Sequence, residues 1–189
     1  MPRNMSISDT PVIRTQGDTL FPTQGIVRID GNQLDLLALG IAATPQIVDQ
    51  DDPENVIESG DAGVTIQPSH TFTVVVDSNR VTRVAHTVKE CDQVELAGTG
   101  TLPAGLITGQ RYFVVNPKTN SFQLSLEPDG LPVVIEGTGT GVHSFMIPGE
   151  IRYDFQAADV ADVGEYWFHF LLARDGETQH VTFPLHVVD

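Results

Sequence analysis

The fold class is decided by one stretch of the sequence, Asp162-Val163-Gly164-Glu165-Tyr166-Trp167-Phe168. It begins with an Asp and a Gly, which is a turn signal, and continues into a run where Tyr166, Phe168 and Phe170 occupy every second position. Such alternation is typical of a strand with one buried face. We therefore expect these three aromatic side chains to point inward from a central strand.

Short alternating runs of the same kind recur along the chain. They cover residues 72–76, 121–126 and 180–187, and turn signals such as Asp77-Ser78-Asn79 separate them. The apolar positions of these runs are Phe72, Val74 and Val76, then Phe122, Leu124 and Leu126, then Val181, Phe183, Leu185 and Val187. One helix-like stretch, Gln156–Asp162, covers about two turns. The sequence therefore predicts an all-β protein.

The composition is that of a globular protein. The chain has 189 residues, of which 40% are hydrophobic and 19% charged, and this length suits one medium domain or two small ones. No apolar run approaches the roughly 20 residues of a membrane helix, and no signal peptide is expected at the N-terminus. Cys91 is the only cysteine, which excludes an intrachain disulfide.

Charge excludes two classes of partner and divides the chain. The sequence holds 25 acidic and 10 basic residues, a net charge of −15, which disfavours nucleic acid and anionic membrane surfaces. Residues 68–147 hold 7 acidic and 5 basic residues, whereas the rest of the chain holds 18 and 5. This asymmetry indicates two structural units.

No metal site is expected. His180 and His186 share a strand face, but the extended chain between them holds them roughly 20 Å apart, too far for one ion. The acidic loop Asp49–Glu54 lacks the Gly and Glu positions of a calcium-binding EF-hand. We interpret the histidines as solvent-facing strand residues and the loop as solvated surface.

No catalytic or cofactor-binding residue is expected either. The chain has no nucleophile elbow, zinc-protease motif or Walker loop. The glycines of Gly137–Gly141 do not open a helix, so they lack the geometry that cradles a phosphate. Cys91 stands between Glu90 and Asp92, whose charges should raise its pKa and suppress thiolate chemistry. The sequence therefore predicts that the protein is not an enzyme and needs no cofactor.

The pattern Asp162-x-Gly164-x-Tyr166 resembles the tyrosine corner of immunoglobulin-like sandwiches. In that motif the Tyr hydroxyl bonds to backbone a few residues upstream. Antibody domains place a cysteine two residues after the Tyr, where Phe168 stands here, so the resemblance implies a sandwich held by apolar packing alone. The alternative is an ordinary strand that starts after a Gly turn.

Both ends of the chain resemble a bacteriophage family. Residues 13–39 are similar to the start of the phage baseplate upper protein N-terminal domain, with Gly17-Asp18-Thr19 and Gln33-Leu34-Asp35-Leu36 at matching positions. Residues 56–66 and 158–189 resemble its later segments. Domains of this family are immunoglobulin-like sandwiches that dock one virion protein onto another, so the resemblance implies that fold and role here.

The middle of the chain resembles a second group. Residues 79–145 are similar to a β repeat of phage fibre and other virion proteins. Its ordered submotifs correspond to Asp92–Leu96, Leu102–Leu106, Gly109–Val115, Asn120–Ser125 and Gly139–Gly141. His86–Cys91 departs from the pattern, where a glycine-bearing turn is usual. The resemblance implies a small inserted β-domain.

These observations predict a discontinuous architecture. An N-terminal arm covers residues 1–8, an immunoglobulin-like β-sandwich covers 9–67 and 148–189, and the inserted small β-domain covers 68–147. A loop of a sandwich tolerates such an insertion because the cost of closing a loop grows slowly with its length.

The resemblances imply a non-enzymatic bacteriophage virion structural protein. It would dock on other virion proteins of the baseplate or tail, the neck, or the capsid surface as a decoration protein, in a symmetric homo-oligomeric assembly built in the bacterial host cytoplasm. Its acidic charge would complement basic sites on a partner. We expect contacts from Met1–Gln16, by β-augmentation, and from loops around Leu102–Leu106 and Pro128–Pro132.

A glycan-binding module for host-surface attachment is the alternative from another class. Sandwich domains bind sugars by stacking them on exposed aromatic rings with polar neighbours. Tyr112, Tyr153 and Trp167 are the three candidates for such a platform, and two of them fall in predicted strand cores.

Overall fold

The chain divides into two units. The computed structural model describes residues 5–6, 12–15, 23–29, 32–52, 54–59, 63–155, 162–174 and 177–188. One unit is formed by Met1–Gln67 with Gly149–Asp189, and the other by Pro68–Pro148. The predicted insert, 68–147, ends one residue before the second unit does.

Strands make up nearly all the regular structure of the described residues, as the alternating runs predict. The strands before the second unit are β1 (Met5–Ser6), β2 (Val12–Thr15), β3 (Thr23–Ile26), β4 (Arg28–Ile29), β5 (Asn32–Gln33), β6 (Ala42–Asp49), β7 (Val56–Ser59) and β8 (Val64–Ile66). The second unit holds β9 (His70–Val75), a 3₁₀ turn (Val76–Ser78), β10 (Arg80–Thr82), β11 (Gln93–Gly98), β12 (Arg111–Lys118), β13 (Ser121–Ser125) and β14 (His143–Met146). The chain ends with β15 (Glu150–Tyr153), β16 (Gly164–Arg174) and β17 (Glu177–Val188). The all-β prediction is confirmed; the helix-like stretch Gln156–Asp162 lies, except for its last residue, outside the described residues.

The first unit is a β-sandwich. Its larger sheet has the order β2-β17-β16-β6-β7, and a smaller sheet has the order β3-β15-β8. A third sheet joins β1, β4 and β5. The β16–β17 hairpin is paired along its whole length, from Gly164 opposite Val187 to Arg174 opposite Glu177. The pairings of the larger sheet are antiparallel except that of β2 with β17, which is parallel.

Aromatic rings fill the space between the two sheets. The Phe168 ring lies 5.1 Å from Tyr153, 5.5 Å from Phe155 and 5.1 Å from Phe170, measured between ring centroids. The inward positions of β16 and β17 are buried, as predicted, at Tyr166, Phe168, Phe170, Val181, Leu185 and Val187. The side chain of Phe183 lies outside the described residues. Each such buried side chain contributes about 1.5–3 kcal/mol, so this layer holds the sandwich together without a disulfide.

The turn before β16 has the bond of a tyrosine corner. The hydroxyl of Tyr166 donates to the carbonyl oxygen of Asp162. A Cβ on Gly164 would lie 2.8 Å from that hydroxyl oxygen, so a larger residue there would displace the Tyr166 ring.

The second unit is a closed six-stranded barrel. Its strands follow the order β10-β13-β12-β11-β14-β9, and β9 pairs with β10 to close it. The interior is filled by the buried side chains of alternate residues, among them Phe72, Val81, Val94, Leu96, Tyr112, Val114, Phe122, Leu124 and Phe145.

The alternating pattern predicts Leu126 and Val76 on buried strand faces, but neither residue lies in a strand. Leu126 is 61% exposed because β13 ends at Ser125, whose hydroxyl accepts a bond from the Glu127 amide as the chain turns. Val76 begins the 3₁₀ turn instead of continuing β9. The period of a strand cannot be extended past the turn that ends it.

The barrel takes the place of a hairpin turn in the sandwich. Strands β8 and β15 pair in antiparallel register, with Ile66 opposite Ile151. The next backbone bond runs from the Gln67 amide to the Glu150 carbonyl over 2.7 Å. The chain between these two residues is the barrel unit, which identifies the β8–β15 connection as the insertion point.

Candidate functional site

Trp167 lies on the outward face of the larger sandwich sheet. Its neighbours in strand β16, Tyr166 and Phe168, point inward, so the pleat turns the indole to the opposite face. The residues opposite it are Val48 on β6 and Pro184 on β17. Trp167 is half-buried there, and it is the only tryptophan of the sequence.

Polar side chains lie on the same face in the next outward row of the sheet, two residues from Trp167, Val48 and Pro184 on their strands. His169 lies between Gln46 on β6 and Thr182 on β17 in the sheet register. Its Nδ1 is 2.6 Å from the Thr182 hydroxyl oxygen. The His180 ring meets the His169 ring edge-on, with 5.9 Å between ring centroids.

Together these side chains line a shallow, open depression of about 410 Å³, which we call the Trp167 depression. Its lining residues are Gln46, Val48, Trp167, His169, His180 and Thr182. Its apolar members are Val48 and Trp167, and the other four side chains, which we call the rim, carry an amide, two imidazoles and a hydroxyl. This combination suits a ligand with an apolar face and several hydroxyl groups.

The lining of the depression holds no formally charged side chain, and His169 favours its neutral form. Burial lowers the pKa of His169 below its ordinary value of 6.5, and the nearby His180 lowers it further. No Asp, Glu, Lys or Arg lines the depression among the described residues. The nearest charged neighbour in sequence, Glu165, instead faces His186, with 3.6 Å between carboxylate oxygen and Nδ1.

The other two aromatic candidates are not available for stacking. Tyr112 and Tyr153 are each 1% exposed, and the Tyr112 hydroxyl accepts a bond from the Ile107 amide over 2.9 Å. Trp167 is therefore the one of the three that a ligand can reach. The sequence analysis did not name Gln46 and Thr182 as partners of Trp167, because only the register of three strands brings them together. The available signal was that both occupy outward positions in the alternation of their strands.

The predicted contact segment Met1–Gln16 is described only at 5–6 and 12–15. Val12–Thr15 pairs with β17, and Met5–Ser6 pairs with β4. At these positions the backbone pairs within this chain on one side, and both strands lie at the edges of their sheets. The expected β-augmentation by a partner therefore stays a prediction.

The two predicted contact loops of the barrel differ. In Leu102–Leu106, Ala104 and Gly105 are exposed as expected, but Pro103 and Leu106 are buried, so the expectation of exposure is wrong for these two residues. Their apolar side chains gain more from packing inward. In Pro128–Pro132, by contrast, Leu131 is 90% exposed.

Cys91 is exposed, and the pKa of its thiol is raised, the direction predicted from the sequence. The leading cause is the hydrogen bond of its Sγ with Asp129, 3.1 Å away, followed by desolvation; the charge of Glu90 is a minor contribution. Asp92, the other residue expected to raise this pKa, instead accepts a hydrogen bond from the Lys89 amide with its carboxylate. The thiol environment thus comes from a residue distant in sequence.

The acidic loop and the histidines form no cluster of metal ligands in the part of the chain that the structure describes. The interpretation of the histidines as solvent-facing is wrong for His70 and His143, which are buried inside the barrel unit against aromatic rings. In the loop, Asp49 accepts a bond from the Asp51 amide and Asp52 from the Glu54 amide. These carboxylates stabilise turns of their own loop.

Two glycines of the Gly137–Gly141 stretch, Gly139 and Gly141, border a wider depression of about 820 Å³ on the barrel. Gly139 and Gly141 have positive φ, and a Cβ on Gly139 would lie 2.3 Å from the Thr101 carbonyl oxygen. The stretch is therefore a tight turn packed against the 99–103 segment.

Among the described residues, no helix has the length and apolar character to cross a membrane.

Comparison with known proteins adds little. No family model matches the sequence, and no curated protein matches it. A solved family 123 glycoside hydrolase from Clostridium perfringens, described for glycolipid glycan hydrolysis, is similar over 100% of this chain and 28% of its own, with 8% identity and a TM-score of 0.30. At that score the likeness carries no argument about this chain.

Proposed function

We propose that this chain is a non-enzymatic structural protein of a bacteriophage virion, where it docks on other particle proteins and presents the barrel. The observation that carries the proposal is the barrel in place of the β8–β15 turn of a sandwich with a tyrosine corner. A sandwich and an inserted β-domain are what the resemblances of residues 13–39 and 79–145 to virion proteins imply.

The closed barrel supports a display role. Each of its six strands pairs with two neighbours, so its ladder offers no open edge to another chain. A closed barrel of this kind does not polymerise through its sheet. Except for Val75 at the end of β9, its exposed large apolar residues lie in loops, with Leu131 the most exposed.

The acidic end of the sandwich supports docking on a basic partner. Asp49 and Asp162 lie close enough to the Tyr166 hydroxyl to raise its pKa, after the larger effect of burial. The Gln50 amide bonds to the Glu165 carbonyl, which brings the acidic loop 49–54 beside this corner. Opposite charge on a partner would speed and orient the encounter.

Purified virions give the first test. Mass spectrometry of particles from a phage that encodes this chain should detect it, and its copy number decides the position. Six or twelve copies indicate the tail or neck, and hundreds indicate capsid decoration. Virions without this polypeptide would refute the proposal.

Charge neutralisation tests the docking surface. The triple variant D51N/D52N/E54Q should reduce incorporation into particles several-fold, since it removes three charges from the acidic loop. The matched control D77N/E127Q/E136Q removes three charges from the barrel unit and should leave incorporation unchanged. Equal incorporation of both variants would show that the acidic loop is not the docking surface.

A further inference from the structure

We infer that the Trp167 depression binds a neutral sugar. The inference concerns a ligand site on the sandwich and does not depend on the proposed virion role. It rests on three properties of the depression, which are its aromatic lining residue, its polar rim and its charge.

The half-buried Trp167 lines the depression, whose volume suits a small ligand. A cavity of about 410 Å³ lies within the range of small-molecule sites, which is roughly 300–1,000 Å³. An indole offers a large, rigid apolar surface with little rotamer entropy to lose on binding. The C–H face of a pyranose ring is also apolar, and it packs on such a surface while its hydroxyl groups remain at the edge.

The rim supplies donors and acceptors for those hydroxyl groups. The Gln46 amide and the Thr182 hydroxyl can each donate and accept, and the imidazoles of His169 and His180 add ring nitrogens. His169 is already oriented by its 2.6 Å contact with Thr182. A hydroxyl group of a sugar also donates and accepts, so it matches this rim better than a pure donor or acceptor does.

Charge selects the class of sugar. The lining holds no formally charged residue, and the burial of His169 favours its neutral form. The residues outside 68–147 carry 18 acidic against 5 basic residues, which repels an acidic sugar. A neutral hexose or N-acetylhexosamine is therefore the favoured ligand.

The wider depression on the barrel is a poorer sugar site. Its aromatic member, Phe72, is buried, and Arg83 in its lining already donates to the Thr71 carbonyl. No aromatic ring there offers an exposed face to a ligand among the residues that line it.

The single tryptophan makes the test direct. Trp167 emission should change saturably when the full chain is titrated with at least one of glucose, galactose, mannose and N-acetylglucosamine, with a dissociation constant of about millimolar order for so small a site. Glucuronic acid and N-acetylneuraminic acid should produce no saturable change. If none of the four neutral sugars changes the emission while acrylamide still quenches it, the inference is wrong.

Two threonines of β17 provide a matched pair of variants. Thr182 lines the depression, whereas Thr178 lies on the same strand outside it. T182V should weaken sugar binding at least tenfold, and T178V should leave it unchanged. Equal effects of the two substitutions on sugar binding would show that the sugar does not bind in the Trp167 depression. If a virion protein, and no sugar, protects Trp167 from acrylamide, the depression is a protein contact and the sugar assignment fails.

Discussion

The hydroxyl of Tyr166 donates a hydrogen bond to the backbone carbonyl of Asp162, with 3.2 Å between the two oxygen atoms. This bond ties the first inward residue of β16 to the turn that precedes it. Gly164 lies between the two, and a Cβ there would be 2.8 Å from the hydroxyl oxygen and 2.9 Å from the ring. The spacing of the motif is therefore explained by one bond and one close approach.

Tyr166→Phe should lower the free energy of unfolding of the sandwich by about 1 kcal/mol, because it leaves the Asp162 carbonyl without this donor. Urea unfolding followed by Trp167 emission measures it, since the only tryptophan is in this unit. G164A should also destabilise the sandwich. Together the two substitutions should cost less than the sum, because both break the same bond; additive costs would contradict the account.

Gly105→Ala should destabilise the barrel more than Gly137→Ala does. Both glycines have positive φ, which costs an alanine roughly 1–2 kcal/mol. A Cβ at Gly105 would also lie 2.1 Å from the Val134 carbonyl oxygen, whereas one at Gly137 has nothing within 4 Å. Hydrogen exchange of barrel amides measures the difference. Equal losses would mean that the 134–136 segment moves aside without cost.

Acidification should destabilise the sandwich through His169. Its pKa in the folded chain is lowered, by burial first and then by His180, from an ordinary value of 6.5. The unfolded chain therefore takes up this proton at a higher pH than the folded chain does. The stabilisation that comes from keeping His169 neutral is fully present above about pH 6.5, and it is lost as the pH falls towards the pKa of the folded chain. The urea midpoint should fall on acidification, and it should fall less in H169Q.

His186→Gln is the control for that experiment. His186 is on the same strand as His180, but its Nδ1 faces Glu165. H186Q should not reduce the loss of stability at low pH. If H169Q loses stability on acidification as steeply as the unmodified chain, burial of His169 is not the cause.

His86→Phe should leave the barrel as stable or make it more so. Both ring nitrogens of His86 are buried with no hydrogen-bond partner among the described residues, and its ring packs edge-on to Phe122 at 5.1 Å. Phenylalanine keeps the ring contact and removes the unsatisfied polar atoms. Calorimetry of the barrel transition measures the change.

His143→Phe is the comparison for His86. The His143 ring also packs on a phenylalanine, Phe72, but its Nε2 bonds to the Thr138 carbonyl at 2.8 Å. H143F should therefore be less stable than H86F. The opposite order would show that His86 has a role its contacts do not reveal.

Local pattern was sufficient for the elements whose structure is local. Alternation alone predicted the inward faces of β16 and β17, because the pleat places every second residue on one side. The tyrosine corner was predictable for the same reason, as its bond spans four residues. Leu126 was misplaced because the end of a strand depends on the turn, not on the period.

Features that depend on long-range register were not predictable. The rim around Trp167 needs Gln46 from β6 and Thr182 from β17, and no local pattern fixes which residues of three strands align. The burial of Leu106 and Pro103 likewise depends on the bridge between Ala104 and Glu136. The Asp129 partner of Cys91 also comes from a separate loop.

The position of the barrel between Gln67 and Glu150 has a consequence for the evolution of this chain. The first and last barrel strands pair with each other, with His70 opposite Phe145, so the chain enters and leaves the barrel through neighbouring strands. An in-frame exchange of the coding segment for 68–148 therefore needs only two crossovers, and any replacement with adjacent termini can leave the β8–β15 ladder unbroken. A lineage can thus acquire a different inserted domain by recombination while its sandwich sequence stays under unchanged selection.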